Sequence, residues 1–246
     1  MNLKNQSILI TGGSSGIGLE LAKNLAGKGN KVIICGRSAE RLQAAVQSEP
    51  RLLPFVCDVA EPEEIKKLVQ WISENHPDLN VLINNAAIVS KTDFFNDDRA
   101  LEQANLEYQT NLLAPIRLIK LLYPILIKNE SPAIINVTTG LVYAPRVIYP
   151  FYNSSKSALH SFTQTLRLSL AGKNIQVFEV LFPAVDTPWH QGNPPKIAIP
   201  VSQAVREMLA GLKKDKPEIR VGSAKILYLI SRLAPGFALK KVNQIQ

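Results

Sequence analysis

A tyrosine and a lysine four positions apart, Tyr152 and Lys156, are the residues of this sequence whose types and spacing most directly suggest chemistry. The spacing favours a helix, in which one turn brings both side chains to the same face. An ammonium group beside a phenol favours the ionised phenolate and would let the pair transfer a proton. Many helices carry this pattern on an exposed face without function, so its meaning depends on the rest of the chain.

A glycine-rich loop near the N-terminus follows a short strand-like run. Residues 7–10 are mostly apolar, residues 11–18 contain four glycines, and residues 19–28 have a helical pattern. Glycines let the backbone approach a pyrophosphate closely, and the N-terminus of a helix offers free N–H groups and a positive dipole end. This order of strand, loop and helix predicts nucleotide binding, with a purely structural turn as the alternative.

The residues after the second predicted strand, residues 31–35, bear on which dinucleotide would bind. An Asp or Glu in this position would hydrogen-bond a free ribose 2′-hydroxyl. Gly36, Arg37 and Ser38 stand here instead, and a guanidinium can make bidentate contacts to a 2′-phosphate. The sequence therefore favours NADP(H) over NAD(H), unless Arg37 only stacks on the adenine, which would leave the preference open.

Strand and helix patterns continue to alternate along the chain. Further strands are predicted over residues 52–57, 81–83, 134–137 and 175–181. The alternation predicts right-handed crossovers and a parallel sheet, with ligands bound at the carboxyl ends of the strands.

Three polar elements accompany these predicted strands and helices. Asp58 follows the third strand and is placed to meet an adenine. The Asn84-Asn85-Ala86 element ends the fourth strand, where a structural role is favoured. Asn111 lies in a long helical region that we expect to be broken around Pro115. A buried amide needs hydrogen-bond partners, so a bond between helices and a part in catalysis both stay open for Asn111.

Length and composition indicate the broad class of protein. A length of 246 residues and a hydrophobic content of 46% predict one soluble domain, residues 1–246, without a membrane-spanning segment. The N-terminus lacks the apolar stretch of a signal peptide, so a cytoplasmic protein is expected. Cys35 and Cys57 each end an apolar run and are expected to be buried, reduced thiols. The three histidines have no spacing suited to a metal, and no metal site is predicted.

With these elements in order, the chain resembles the short-chain dehydrogenase/reductase family over nearly its whole length. The match consists of the Thr-Gly-x-x-x-Gly-x-Gly loop at residues 11–18, Asp58, the Asn-Asn-Ala element, Asn111 and the Tyr152–Lys156 pair. The resemblance implies an α/β fold: a single-domain, Rossmann-like, three-layer architecture with a mostly parallel seven-stranded sheet. Ala87 and Ala184 stand where the family usually has glycine.

The resemblance also implies roles for particular residues. Catalytic roles are implied for Asn111, Thr139, Tyr152 and Lys156. With Arg37 added from its position after the second strand, the residues expected to contact the dinucleotide are Thr11, Gly12, Ser14, Ser15, Gly16, Ile17, Gly18, Arg37, Asp58, Val59, Asn85, Ala86, Tyr152, Lys156, Pro183, Val185 and Thr187.

Thr139 is the main departure from the family pattern. It lies 13 positions before Tyr152, where relatives usually carry Ser. Threonine keeps the hydroxyl, while its extra methyl group restricts the rotamer, so an active site with altered substrate choice is expected.

The implied reaction is the interconversion of a carbonyl and an alcohol. NADPH would deliver hydride, Tyr152 would donate the proton, Thr139 would hold the substrate oxygen, and Asn111 would position a water connecting Lys156 to solvent. The alternative function is a sensor or regulator that binds NADP(H) without turnover.

Residues 185–200 contain five prolines or glycines together with Trp189 and His190, and are expected to form a mobile lid over the site. With the lid, Phe94, Tyr143 and Tyr149 are expected to line a partly aromatic pocket for a small, apolar carbonyl or alcohol substrate. The resemblance implies a homodimer or homotetramer.

The C-terminal part of the chain is basic, since residues 211–246 contain eight Lys or Arg and two acidic residues. It lacks the interleaved aromatic residues of a single-strand nucleic-acid binder, so no nucleic-acid partner is predicted. Segment 223–246 is expected to pack on the sheet or on a partner subunit, with a membrane-surface contact as the alternative. Part of it, residues 223–237, is similar to bacterial oxidoreductases named for the D-alanyl-lipoteichoic acid operon, a name that reflects genetic context.

Overall fold

Short, apolar strands form the centre of the molecule. The computed structural model describes Met1 and residues 3–244. The strands are β1 (Ser7–Thr11), β2 (Lys31–Gly36), β3 (Leu52–Val56), β4 (Val81–Asn84), β5 (Ala133–Thr139), β6 (Gln176–Phe182), β7 (Val185–Asp186), β8 (Ile199–Pro200) and β9 (Glu218–Arg220).

Seven of these strands form one sheet in the order β3-β2-β1-β4-β5-β6-β9, and every neighbouring pair is parallel. The six strands predicted from hydrophobic runs are confirmed. The seventh, β9, has only three residues and no comparable run. Strands β7 and β8 pair with each other and join the two ends of the segment that was predicted to be a lid.

Helices follow the strands on both sides of this sheet. They are α1 (Gly16–Ala26), α2 (Ala39–Ser48), α3 (Pro62–Asn75), α4 (Ala100–Tyr108), α5 (Ala114–Leu126), α6 (Pro150–Ser169), α7 (Val201–Lys213), α8 (Ala224–Leu233) and α9 (Pro235–Asn243). Between α4 and α5 the chain forms one π-helical turn, Gln109–Leu113. The break expected around Pro115 is therefore a change of helix type just before that proline.

Alternation along the strands creates two cores. In β1, the side chains of Ile8 and Ile10 join the core that also contains residues of α1, α2 and α7. Leu9 points the other way and joins a second core with residues of α3 and α5. Because both faces of the sheet are apolar, both are covered by helices. The predicted three-layer α/β fold is confirmed.

The strand order places the carboxyl ends of β1 and β4 side by side. The chain builds outwards from β1 through β2 to β3 and then returns to place β4 on the other side of β1. Loops that leave such a switch point diverge and open a crevice, which is where ligands bind in this type of sheet.

The last two helices lie against the chain that follows β5. Ala144, Ala238 and Val242 are buried together, with Leu227 and Ile230 of α8 packed on them. Within the described part of the chain, no helix has both the length and the apolar character required to cross a bilayer.

Candidate active site

The loops after β1 and β4 are joined by side-chain hydrogen bonds. Thr11 Oγ1 accepts from the backbone N–H groups of Asn85 at 3.0 Å and Ala86 at 2.9 Å. Asn85 Nδ2 in turn donates to the Thr11 carbonyl at 2.9 Å and lies 3.3 Å from that of Gly12. Thr11 and Asn85 therefore fix the shape of the crevice, which is the structural role that the sequence favoured for the Asn-Asn-Ala element.

The glycines of residues 11–18 leave little room for side chains. A Cβ on Gly18 would lie 2.2 Å from the Gly12 carbonyl oxygen and 2.6 Å from Asn85 Nδ2. Gly12 has φ +65°, and a Cβ there would lie 3.0 Å from the Cα of Ala86. Gly16 has φ +51° and faces Thr187, whose Cγ2 would be 3.4 Å from an added Cβ. The glycine loop thus contacts both the loop after β4 and the segment that follows β7.

The N-terminus of α1 is open to a ligand. Its N-cap residue, Ser15, makes no capping hydrogen bond through its side chain to any residue that the structure describes. The first N–H groups of this 11-residue helix thus keep their capacity to bind an anion. The glycine cradle and this helix end together fit the pyrophosphate of a dinucleotide.

Arg37 and Asp58 follow β2 and β3 along the same edge of the sheet. The Arg37 side chain is exposed and has no hydrogen-bond partner among the described residues, so its guanidinium is available to a ligand. Asp58 is half-buried, and its Oδ1 accepts from the Ala60 N–H at 2.9 Å. That bond uses one carboxylate oxygen in a local turn and restricts how Asp58 can face an adenine.

The other predicted cofactor residues share this edge. Ser14 Oγ would lie 3.2 Å from a Cβ on Gly36. The remaining ones are more enclosed: Val59 and Val185 are buried, Ile17 is half-buried, and Pro183 lies against Gly222.

Tyr152 is the third residue of α6. Burial raises the pKa of its phenol to about 12, and the nearby Glu107 and Tyr149 also raise it. A hydrogen bond with the Thr139 side chain works in the opposite direction. The sequence led us to expect that Lys156 lowers this pKa. Instead, burial raises it and is the largest influence, and the side chain that lowers it is Thr139.

Lys156 is buried one turn further along α6, with an exposed fraction of 1%. Its ammonium donates to the Val137 carbonyl of β5 at 2.9 Å. Burial lowers the pKa of Lys156 to about 8, and the negative charge of Glu179 opposes this shift. The charged form therefore still predominates at neutral pH.

Thr139 ends β5 beside Tyr152. Its Oγ1 accepts from the Leu141 N–H at 3.2 Å and lies 3.4 Å from the Phe182 carbonyl oxygen. The hydroxyl is thus held at the carboxyl edge of the sheet, where a substrate oxygen near Tyr152 could also reach it.

Asn111 lies in the π-helical turn and is completely buried. Its Oδ1 accepts from the Ile88 N–H, and its Nδ2 donates to the Ile88 carbonyl, both at 2.9 Å. Nδ2 also lies 3.2 Å from Ser155 Oγ of α6. The side chain therefore joins the loop after β4 to the helix that carries Tyr152 and Lys156, which is a positioning role.

Glu179 and His160 are functional candidates that the sequence interpretation missed. The alternation of β6 points Glu179 towards α6, and the carboxylate has no exposure to solvent. It accepts from Thr138 Oγ1 at 2.6 Å and lies 2.8 Å from His160 Nδ1. A single carboxylate in the apolar run of residues 177–182 is a signal that could have identified it, since buried charges are rare unless they are paired.

Glu107 is a second buried carboxylate that was missed. Its Oε1 accepts from the Ser90 N–H at 2.7 Å, and its Oε2 has no partner among the described residues. Burial raises the pKa of this carboxyl group. It stands one helical turn before Asn111, and both residues hold the loop after β4.

Aromatic side chains continue from Tyr152 to the segment after β7. The ring of Tyr149 lies 6.5 Å from that of Tyr152 and 6.1 Å from that of Trp189. Trp189 Nε1 donates to the Val89 carbonyl at 3.3 Å, which connects this segment to the loop after β4. Phe94, which was expected beside these rings, packs on Phe151.

Tyr143 lies apart from this row, contrary to the expected pocket. It packs on His160 and Tyr228, and its hydroxyl accepts from Arg220 Nε at 2.9 Å. The short 3-10 turn after β5, Gly140–Val142, precedes Tyr143, and its ring lies against Tyr228 of α8 rather than in the crevice.

Two further expectations concern cysteines and metals. Cys35 and Cys57 are buried free thiols, as expected. The described residues contain no group of three or more His, Cys, Asp or Glu that could hold a metal ion.

Comparison with known proteins identifies relatives for nearly the whole chain. A family model described as short chain dehydrogenase matches residues 6–197. An uncharacterized oxidoreductase of Bacillus subtilis, DltE, is 42% identical over 224 residues, which are 89% of this chain and 89% of the relative.

Solved structures of short chain dehydrogenases are similar to this chain in fold. A short chain dehydrogenase from Burkholderia cenocepacia in complex with NADP is 25% identical, with a TM-score of 0.86 and coverage of 100% of both chains. A short chain dehydrogenase/reductase from Burkholderia phymatum in complex with NAD has a TM-score of 0.84 at 16% identity, over 100% of this chain and 98% of that one, and shares the fold.

Proposed function

The chain belongs to the short-chain dehydrogenase/reductase family of NAD(P)-dependent oxidoreductases, and we propose that it interconverts a carbonyl and an alcohol with Tyr152 as the proton donor and acceptor. The observation that carries the proposal is the environment of Tyr152. Its phenol interacts with the Thr139 hydroxyl, at the same sheet edge as the glycine cradle. The phenol carries its proton at neutral pH and can give it to a carbonyl oxygen, and the hydrogen bond with Thr139 opposes the rise in pKa that burial causes.

The neighbouring residues have distinct tasks in this mechanism. Thr139 donates a hydrogen bond to the substrate oxygen and holds it beside the phenol. Lys156 holds a buried positive charge one helical turn from Tyr152 and would bind the nicotinamide ribose of the dinucleotide. Asn111 keeps α6 in register with the loop after β4.

The crevice at the β1–β4 switch point would hold the dinucleotide. The residues of the glycine loop, with Asn85, Ala86 and Thr187, would hold it. When bound, the reduced dinucleotide supplies the hydride, while the protein supplies position and the proton.

Replacing Tyr152 by Phe tests the role of the phenol. Tyr152→Phe removes only the hydroxyl, so kcat should fall by about 100- to 10,000-fold while binding of the dinucleotide persists. The measurement is absorbance of the reduced nicotinamide with a panel of carbonyl compounds, alongside a dinucleotide titration. Tyr149→Phe, in the neighbouring ring, is the matched control and should retain most of the activity. Full turnover by Tyr152→Phe would sink the proposed role.

We further propose that NADP(H) is preferred over NAD(H). The exposed and unengaged guanidinium of Arg37 supports this preference, because it is suited to a 2′-phosphate. Arg37→Asp should weaken NADPH binding relative to NADH by about tenfold or more. Arg41→Asp changes the charge of an exposed arginine on α2 and is the control. Equal affinities of the native protein for NADH and NADPH would contradict the preference.

An apolar substrate fits best beside Tyr152. The rings of Tyr149 and Trp189 support this inference, since they approach the phenol from the chain before α6 and from the segment after β7. A screen of carbonyl compounds with increasing apolar area should show kcat/KM rising with that area. No trend with apolar area, in a protein that does turn substrates over, would contradict the inference.

A further inference from the structure

The last two helices have an apolar outer face. Ile226, Leu229 and Leu233 of α8 follow one another at helical spacing and are exposed, Leu233 to 86%. Phe237 of α9 is also exposed. The neighbouring face of α8 is already in use, since Leu227 and Ile230 pack inward on Ala144 and its neighbours.

The two helices that carry this face contain only basic charged residues. Residues 224–243 include four basic residues, Lys225, Arg232, Lys240 and Lys241, and no Asp or Glu. Lys240 and Lys241 are exposed in the last turn of α9. Lys225 pairs with a glutamate of α7, and Arg232 lies over the ring of Tyr228. The surface therefore offers apolar side chains together with cations.

The apolar surface continues towards the candidate active site. The Val147 N–H donates to Asn243 Oδ1 at 2.7 Å, and the Val147 side chain is 76% exposed. The Thr92 N–H donates to the carbonyl of the adjacent Ile148 at 3.1 Å. Two and three residues beyond Thr92, Phe94 and Phe95 are exposed, and Phe94 packs on Phe151, the residue before Tyr152.

We propose that the face formed by α8, α9 and Val147 docks on the surface of an anionic lipid bilayer. A helix with an exposed apolar stripe, flanked by Lys and Arg, lies in the interface of such a bilayer with its apolar side chains among the acyl chains. The lysines meet the anionic headgroups.

A second copy of this chain is the less suitable occupant. A two-fold interface brings the same patch of both copies together. Antiparallel pairing of two α8 stripes, centred on Leu229, would place Lys225 of each copy near Arg232 of the other. Residues 224–243 contain no Asp or Glu, and the nearby Glu207 is already paired with Lys225, so such a contact gains no ion pair between the copies.

Flotation with vesicles tests the proposal on the full-length protein. Vesicles of phosphatidylcholine with roughly 30% phosphatidylglycerol should bind at least about tenfold more protein than phosphatidylcholine alone. Raising NaCl from about 50 mM to about 500 mM should weaken the binding. Leu229→Ser/Leu233→Ser and Lys240→Glu/Lys241→Glu should each lose most of it.

Two controls match these variants elsewhere on the molecule. Leu101→Ser changes a leucine of α4 that is also highly exposed. Lys213→Glu/Lys214→Glu reverses two exposed lysines at the end of α7. Both should bind vesicles like the native protein, and so should Tyr152→Phe, because docking does not depend on turnover.

Several results would overturn the proposal. One is a native protein that does not bind anionic vesicles, and another is a loss of binding in the control variants equal to that in the test variants. A third is a dimer in solution that Leu229→Ser/Leu233→Ser dissociates. The last result would assign the face to a second copy of the chain.

Discussion

The two halves of the candidate site are built by opposite means. Around β1 and β4 the cradle depends on absent side chains, since a Cβ on Gly18 would lie 2.2 Å from the Gly12 carbonyl oxygen. Around β5, β6 and α6 the site depends on buried polar side chains, with Lys156 and Glu179 almost completely removed from solvent. The first half should therefore respond to added volume, and the second to changed charge.

In the polar half of the site, three side chains of α6 contact the neighbouring strands. On α6, Lys156, His160 and Thr163 lie on one face, and they contact Val137, Glu179 and Asn136 respectively. Buried charges of opposite sign influence one another strongly because water does not screen them. A substitution in this network should thus change the pH dependence of activity more than it changes the fold.

The largest effect is expected for Gly18→Ala in the volume-sensitive half. The added Cβ would meet the Gly12 carbonyl and Asn85 Nδ2, and neither can move without breaking the join between the two loops. We expect a loss of about 3 kcal/mol in the free energy of unfolding, with severe loss of dinucleotide binding. Thermal unfolding and NADPH titration measure the two quantities.

Gly236→Ala is the control, because a Cβ at this position has no atom within 4 Å. It should leave both quantities nearly unchanged. If Gly18→Ala left the free energy of unfolding and NADPH binding as little changed as Gly236→Ala does, the close contacts described around Gly18 would be wrong.

An intermediate effect is expected for Glu179→Gln in the charge-sensitive half. The Glu179 charge raises the pKa of Lys156 against the larger lowering caused by burial, to a net value of about 8. Removing the charge lowers that pKa further, so the ammonium is lost at lower pH. The alkaline fall in kcat should move to lower pH by about one unit.

Thr138→Val provides a matched control for this shift. It removes one hydrogen bond to the same carboxylate but keeps the negative charge. His160, Glu218 and Arg167 remain nearby in both variants. A folded Glu179→Gln protein with the native pH profile would show that the carboxylate does not act on Lys156.

The smallest effect is expected for Thr139→Ser, which keeps the hydroxyl and removes a methyl group. Its kcat/KM should stay within about threefold of the native value, whereas Thr139→Ala should lose about 100-fold because no donor is left for the substrate oxygen. Steady-state kinetics with one substrate compare the three proteins. An inactive native protein with an active Thr139→Ser variant would instead show that the methyl group blocks the site.

The parts of the site that sequence could predict are those carried by local spacing. The glycine loop predicted the cradle, and the run of residues after β2 predicted an available Arg37. Glu179 and His160 were missed because they are 19 positions apart and meet only when β6 packs on α6. Strand β9 was missed since three residues at the edge of a sheet leave no hydrophobic run.

The sequence by itself determined the order of strands and helices, and with it the parallel sheet and the edge at which the loops meet. Those features follow from hydrophobic periodicity and glycine positions, which are local properties of the chain. Only the tertiary structure decided the direction of the Tyr152 pKa shift. That direction depends on burial and on Thr139 and Glu107, which are brought to the phenol from separate elements.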